Sequence, residues 1–113
     1  MKIKTNELHG AALDWAVAQC EGYKDQIAFS TCWEHGGPII EREGITIGQR
    51  FAPKFLPKNS PLVVDWTAQY FQAPHSALEV HRQHGPTPLI AAMRCYVASK
   101  LGDEVDVPND LTL

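Results

Sequence analysis

Two segments with helical periodicity and wide apolar faces lie near the ends of this sequence, and they constrain the fold more than any other feature. The first runs from about Asn6 to Glu21 and ends where Gly22 is placed to terminate a helix. The second follows Thr87, a good N-cap residue, has Pro88 at its first helical position and stops at Gly102. Because each apolar face is wide, both helices are predicted to pack against a sheet.

The sheet itself is predicted from an alternating segment between these helices. Apolar and polar residues alternate from Val64 to Tyr70, with Trp66 on the apolar side, and this pattern is typical of a half-buried strand. A returning strand is expected over Ala77–His81, and a short strand over Gln26–Ser30. The sequence therefore supplies several short strands for one small sheet.

Prolines and glycines mark two further segments. Pro38 precedes Gly44 by six positions, and a proline at the first helical position with a glycine past the end predicts a short helix. A strand beginning at Ile39 is the alternative. The stretch Gln49–Pro61 contains three prolines, and we predict an exposed loop or a hairpin crossing there.

These elements predict a single α+β domain over residues 1–113. It consists of a small antiparallel sheet of about three or four strands with the N- and C-terminal helices packed on it. The tail, residues 103–113, is expected to begin as an edge strand and then to fray. Each helix has more apolar surface than one small sheet can cover, so we also expect a homo-oligomer.

Charge and cysteine content exclude several classes of function. The chain has 10 Lys and Arg against 13 Asp and Glu, a net charge of −3, with no basic stripe. Binding to duplex nucleic acid is therefore disfavoured. No apolar run approaches the ~18 residues of a membrane span, and no secretory signal is seen, so neither a membrane nor export is expected. Three cysteines without a CxxC motif indicate free thiols in a reducing cytoplasm.

Residues for catalysis or metal binding are sparse. Cys32 and His35 have the spacing of a metal half-site that His81 and His84 could complete, but buried thiols and solvated histidines are the commoner interpretation. Cys32 with His35 is also the only plausible nucleophile and base, because Cys95 lies near the apolar face of a helix. We therefore predict no catalytic residues, no metal ligands and no cofactor.

A ligand-binding cluster is the more specific hypothesis. Trp33 could stack on a planar ligand beside Gly36 and Gly37, whose backbone N–H groups could hold an anion, while Arg42 and Arg94 could bind phosphate. The alternative is that the glycines only make a turn, that Trp33 caps the core and that the arginines pair with acidic residues, and we favour it. The predicted ligand-binding residues are Trp33, Gly36, Gly37, Arg42, Trp66 and Arg94.

Three blocks of the sequence resemble the NinX family of lambdoid phage proteins. They are Leu13–Ala18, Ser30–Ile45 around Trp33 and its glycines, and Gly85–Gly102, the most specific of the three. The family pattern usually has an aspartate before Trp33, where this chain has Cys32. The resemblance implies a phage accessory protein in the cytoplasm of an infected bacterium, with an α-β-α sandwich fold, and it implies no activity.

Taken with this resemblance, the cluster favours a non-catalytic protein that binds a host-derived ligand. The leading hypothesis is sequestration of a nucleotide-like immune signal. The first alternative is an adaptor that binds a host or phage protein involved in handling DNA. The second is a small hydrolase that uses Cys32 and His35.

Overall fold

A computed structural model describes residues 1–24, 27–51, 63–71 and 80–111 of the chain. Two short 3-10 turns, Thr5–Glu7 and Asn109–Leu111, accompany its helices and strands. In chain order these are β1 (Lys2–Lys4), α1 (Gly10–Glu21), α2 (Trp33–Glu43), β2 (Thr46–Phe51), β3 (Val63–Phe71), β4 (Val80–Gly85), α3 (Pro88–Leu101) and β5 (Glu104–Asp106).

The strands form two antiparallel sheets. One has three strands in the order β2-β3-β4, and the other pairs β1 with β5. In the larger sheet Trp66 lies in the middle strand, opposite Gln49 of β2 and Gly85 of β4. The predicted α+β class with a small antiparallel sheet is confirmed.

Helix α3 is the centre of the core. It packs on all three strands of the larger sheet and also contacts α1 and α2. Its buried residues therefore point in several directions, and they are Leu89, Ala91, Ala92, Met93, Cys95, Tyr96, Val97 and Ala98. The main long-range contacts of α1 are with α3, so α3 separates much of α1 from the sheet. Among the described helices, none is long and apolar enough to cross a bilayer.

The ends of α3 are where local sequence signals place them. The Thr87 hydroxyl accepts a hydrogen bond from the Ile90 N–H at 3.1 Å, and Pro88 occupies the first turn. The N–H of Gly102 closes the last turn on the Ala98 carbonyl at 3.0 Å. The predicted start and stop of this helix are confirmed.

The N-terminal helix starts later than predicted, at Gly10 rather than Asn6. Thr5 is fully buried, and its N–H and hydroxyl donate to the carbonyls of Asp103 at 2.7 Å and Gly102 at 2.6 Å. These bonds to the C-terminal segment hold Thr5–Glu7, which precede α1, in a separate 3-10 turn. The predicted end is confirmed, because Gly22 adopts φ 80° in the left-handed region.

Helix α2 is confirmed in place of the alternative strand, but its predicted start at Pro38 is wrong. It begins at Trp33, so Pro38 lies inside it. Proline removes the hydrogen bond to the carbonyl four residues earlier, which belongs to the exposed Glu34 and so remains open to water. Gly44 ends the helix in the left-handed conformation, as predicted.

The short strand predicted over Gln26–Ser30 is wrong for the described residues 27–30, which form coil and turn. The Phe29 N–H bonds the Ile27 carbonyl at 2.9 Å, and the Cys32 N–H bonds the Ala28 carbonyl at 3.1 Å. Local bonds of this kind fold the chain into turns instead of a sheet ladder. The segment is a tight turn that leads directly into α2.

Two other predicted segments are shifted. The strand expected over Ala77–His81 is β4, which continues to Gly85, and residues 77–79 lie outside the described residues. Within the expected loop Gln49–Pro61, residues 49–51 belong to β2, and 52–61 lie outside the described residues.

The C-terminal segment starts as an edge strand, as predicted, but it continues to pack on the core. Val105 and Val107 are buried, and the turn after them brings Leu111 against the core. Residues 112–113 lie outside the described residues.

Candidate functional site

A small groove lies where the turn before α2 meets the start of α3. Its volume is about 230 Å³, and we call it the Trp33 groove. Trp33 is 54% exposed, an unusual state for so large an apolar side chain. The groove is lined by Ser30, Thr31, Trp33, Thr87, Pro88, Leu89 and Ile90.

One residue of the groove lining, Ser30, has a buried hydroxyl without a partner among the described residues. Ser30 is 2% exposed, and among the described residues its Oγ has no hydrogen-bond partner. Its backbone N–H donates to the buried carboxylate of Asp14 on α1, at 2.8 Å, which fixes the turn. A buried polar group left unpaired costs about 1–3 kcal/mol, so this hydroxyl is a candidate for a bond that a ligand completes.

The first turn of α2 borders the same groove. Its N-cap residue, Cys32, makes no side-chain hydrogen bond to the helix, so the leading N–H groups have no side-chain cap. Such N–H groups and the helix dipole attract anions. Glu34 lies in the same turn, and its carboxylate opposes a second negative charge.

The two glycines have different roles. Gly36 is buried, and its N–H bonds the Cys32 carbonyl at 3.0 Å, so this N–H is not free for an anion. A Cβ at Gly36 would collide with the Phe29 carbonyl oxygen and lie 2.6 Å from Leu89 Cδ1. A Cβ at Gly37 would lie 3.8 Å from the Trp33 ring. Gly36 therefore lets α2 approach Phe29 and Leu89 closely, while Gly37 only flanks the tryptophan.

Three side chains with atoms that could bind a metal ion lie close together beside the groove. The Cys32 thiol, the Glu34 carboxylate and the His35 ring each have a donor atom within 4.8 Å of the others. Cys32 is half-buried, and the other two residues are exposed. Of the histidines considered to complete a metal site, His84 has its Nδ1 3.2 Å from Thr67 Oγ1 on the sheet, and the side chain of His81 lies outside the described part.

Arg42 lies at the opposite end of α2, roughly 13 Å from Trp33 at 1.5 Å rise per residue. Its Nη1 and Nη2 donate to the two carboxylate oxygens of Glu21, at 2.9 and 2.7 Å, and its Nε donates to Glu43 at 2.9 Å. The alternative interpretation, that Arg42 pairs with an acidic residue such as Glu43, is confirmed. The guanidinium already has two carboxylates and does not face the groove.

Two tyrosines and a lysine extend these ion pairs into a network across four elements. Tyr96 donates to Glu21 at 2.5 Å, Tyr70 donates to Glu43 at 3.1 Å, and Lys100 Nζ lies 3.7 Å from Glu43. The hydrogen bond from Arg42 is the main reason that the pKa of each glutamate is lowered. The network joins α1, α2, β3 and α3, so it stabilises the fold.

We expect replacement of Arg42 by methionine to lower the free energy of unfolding by about 1–2 kcal/mol at about pH 7. The lowered glutamate pKa values stabilise the fold above their ordinary value of 4.5, and this stability is lost as the pH falls through the folded pKa. The free energies of unfolding of the variant and the parent, measured with urea, should therefore converge as the pH falls below 4.5. Arg82→Met, at an exposed residue, is the control. If the free energies of unfolding of Arg42→Met and the parent differ by the same amount at about pH 7 and below pH 4.5, the proposed role of the network is contradicted.

Arg94 and Trp66 also lie outside the groove lining. Arg94 Nε donates to the Leu8 carbonyl at 2.7 Å, and its Nη1 donates to the His84 carbonyl at 2.8 Å. Burial lowers its pKa, and these bonds connect the N-terminal turn with β4. Trp66 is half-buried and packs against the core. Of the six predicted ligand residues, Trp33, Gly36 and Gly37 come together, while Arg42, Trp66 and Arg94 lie elsewhere.

Three residues at or next to the groove were not predicted as site residues from the sequence: Ser30, Thr87 and Asp14. Asp14 carried a usable signal, since it is the only charged residue between His9 and Glu21. A single carboxylate within an apolar helical segment indicates a buried partner.

A family model described as Bacteriophage P22, NinX matches residues 25–100. The chain belongs to the NinX family. The match includes α2, the larger sheet and most of α3, and with them the whole lining of the Trp33 groove. It confirms the resemblance seen in the sequence, while Asp14 and Glu21 of α1 lie outside the matched residues. Among curated proteins, none matches the chain.

Proposed function

We propose that this NinX family protein is a non-catalytic ligand-binding protein that sequesters a nucleotide-like signal in the cytoplasm of the infected host. The observation that carries the proposal is the exposed Trp33 ring in a groove that is also lined by Ser30, whose buried hydroxyl has no partner among the described residues. An indole face binds planar rings by stacking, and a paired hydroxyl gives such a ring an orientation.

The size of the groove favours one ring system rather than a whole nucleotide. Its volume of about 230 Å³ is below the range of roughly 300–1,000 Å³ typical of pockets for drug-sized ligands. A nucleobase fits this description, with its sugar and phosphate outside the groove. The N–H groups at the start of α2, which have no side-chain cap, are the anion-binding groups that we assign to that phosphate.

We expect Trp33→Ala to weaken ligand binding about 10- to 100-fold, since stacking of one base on an aromatic side chain contributes about 1–3 kcal/mol. The first measurement is native mass spectrometry of protein purified from immune-activated host cells, followed by calorimetry with nucleoside phosphates and cyclic dinucleotides. Trp66→Phe, in the sheet, is the matched control and should bind normally. A ligand mass that persists in Trp33→Ala would refute the proposed site.

A second candidate is a protein adaptor that acts on DNA-handling machinery of host or phage. Its supporting observation is that Trp33 is 54% exposed at a shallow surface, as interface tryptophans often are. The same mass spectrum separates the candidates, because an adaptor would carry no small molecule and would retain a protein in a pull-down only while Trp33 is present. It also reports whether the chain forms the homo-oligomer that the sequence predicts.

A further inference from the structure

We propose that Cys32, Glu34 and His35 form a zinc-binding site at the start of α2. The inference does not depend on the proposed nucleotide ligand. It rests on the meeting of a thiol, a carboxylate and an imidazole in one turn of the chain, with their donor atoms all within 4.8 Å of one another.

The geometry of these three side chains fits a tetrahedral ion after small rotations. Zinc–sulfur bonds of about 2.3 Å and zinc–nitrogen or zinc–oxygen bonds of about 2.0–2.2 Å place tetrahedral ligand atoms roughly 3.3–3.7 Å apart. The distances between the donor atoms, now up to 4.8 Å, need to shorten by about 1 Å to reach that spacing. Glu34 and His35 are exposed and can rotate, while the His35 N–H bond to the Cys32 carbonyl, at 3.1 Å, fixes the backbone between the ligands.

Capping of α2 does not explain the cysteine at its N-cap position. Ser, Thr, Asp and Asn are the preferred N-cap residues because their oxygens accept hydrogen bonds from the first turn. Helix α3 follows this rule with Thr87, whereas Cys32 makes no side-chain cap bond in α2. A thiol is a poor cap but a strong zinc ligand, so metal binding accounts for a residue that capping does not.

Charge also favours a cation here, despite the positive end of the helix. Zinc displaces the proton of the Cys32 thiol into solvent, and the bound thiolate and carboxylate then contribute roughly −2 charge against roughly +0.5 from the dipole, so the ligands dominate. The mixed sulfur, nitrogen and oxygen set selects zinc over magnesium or calcium, which prefer oxygen alone. Burial raises the pKa of Cys20 to about 11 and that of Cys95 to about 12, so these thiols stay protonated and serve as internal controls.

The test is titration of reduced, tag-free full-length protein with Co²⁺, followed by displacement with Zn²⁺. We expect one equivalent to produce a near-ultraviolet thiolate-to-cobalt charge-transfer band, which Zn²⁺ then removes. Cys32→Ser should abolish the band, and Glu34→Gln and His35→Ala should each weaken zinc binding about 10-fold or more. Cys20→Ser and His84→Ala are the matched controls and should bind as the parent does.

Serine is a preferred N-cap, so Cys32→Ser is expected to stay folded, as circular dichroism will show. Absence of the thiolate band in the parent protein, or its persistence in Cys32→Ser, would overturn the proposal. No nucleotide is present in this experiment, so its failure would leave the Trp33 binding test unaffected.

Discussion

Gly36→Ala should lower the free energy of unfolding by about 3 kcal/mol, because overpacking at a rigid contact costs about 1–3 kcal/mol and sometimes more. The new Cβ would collide with the Phe29 carbonyl oxygen and lie 2.6 Å from Leu89 Cδ1. The Leu89 side chain can shift, but the carbonyl belongs to the backbone of the turn before α2. The helix or the turn must therefore move, and the Trp33 groove between them changes shape.

Gly37→Ala is the matched control for this substitution. Its Cβ would lie 3.8 Å from the Trp33 ring, an ordinary contact, and alanine in a helix is favoured over glycine by about 1 kcal/mol. We expect this variant to be as stable as the parent or slightly more stable in urea unfolding followed by circular dichroism. Equal stability of the two variants would show that the close approach of Gly36 to Phe29 does not constrain the fold.

Gly36 also explains why the start of α2 was predicted incorrectly. Local preferences place Pro38 at a first helical position and treat two glycines before it as a turn. Packing against Phe29 and Leu89 instead favours a helical Gly36, and the helix extends back to Trp33. By contrast, the limits of α3 were predicted correctly, because Thr87, Pro88 and Gly102 act within the helix itself.

Contacts between distant residues account for most of what the sequence did not show. Strand β1 was missed because it has only three residues and exists through its pairing with β5, about a hundred positions away. Arg42 was named as a ligand residue, with pairing to an acidic neighbour as the favoured alternative, and it does pair with Glu43. Its bidentate partner, Glu21, lies on another helix and could not be chosen from the sequence.

The candidate site was predictable only where its residues are close in sequence. Trp33, Gly36 and Gly37 are close in sequence, and they remain together in the fold. Arg94 was predicted to bind phosphate or, in the favoured alternative, to pair with an acidic residue, whereas its Nε and Nη1 donate to two carbonyls from separate segments. Sequence spacing identifies residues within one turn of the chain, and it does not say which distant group pairs with a charged side chain.

Asp14→Ala should lower the free energy of unfolding by about 2–3 kcal/mol, because a hydrogen bond to a charged acceptor contributes about 1.5–3 kcal/mol and its loss strands a buried donor. The bond from the Ser30 N–H to the Asp14 carboxylate is 2.8 Å long, and both residues are buried. Asp14→Asn keeps an acceptor oxygen, so its free energy of unfolding should fall by roughly half as much. Glu104→Ala, an exposed carboxylate on β5, is the control and should change stability little.

The same turn allows stability and binding to be separated, because Ser30→Ala leaves the backbone bond to Asp14 intact. That variant removes a buried hydroxyl that has no partner among the described residues, so the ligand-free protein should gain up to about 1 kcal/mol while binding weakens. Asp14→Ala should instead lose both stability and binding, since the turn that carries Ser30 is no longer held by Asp14. If Ser30→Ala destabilises the ligand-free protein, the Ser30 hydroxyl already contributes to the fold. The hydroxyl is then not reserved for a ligand.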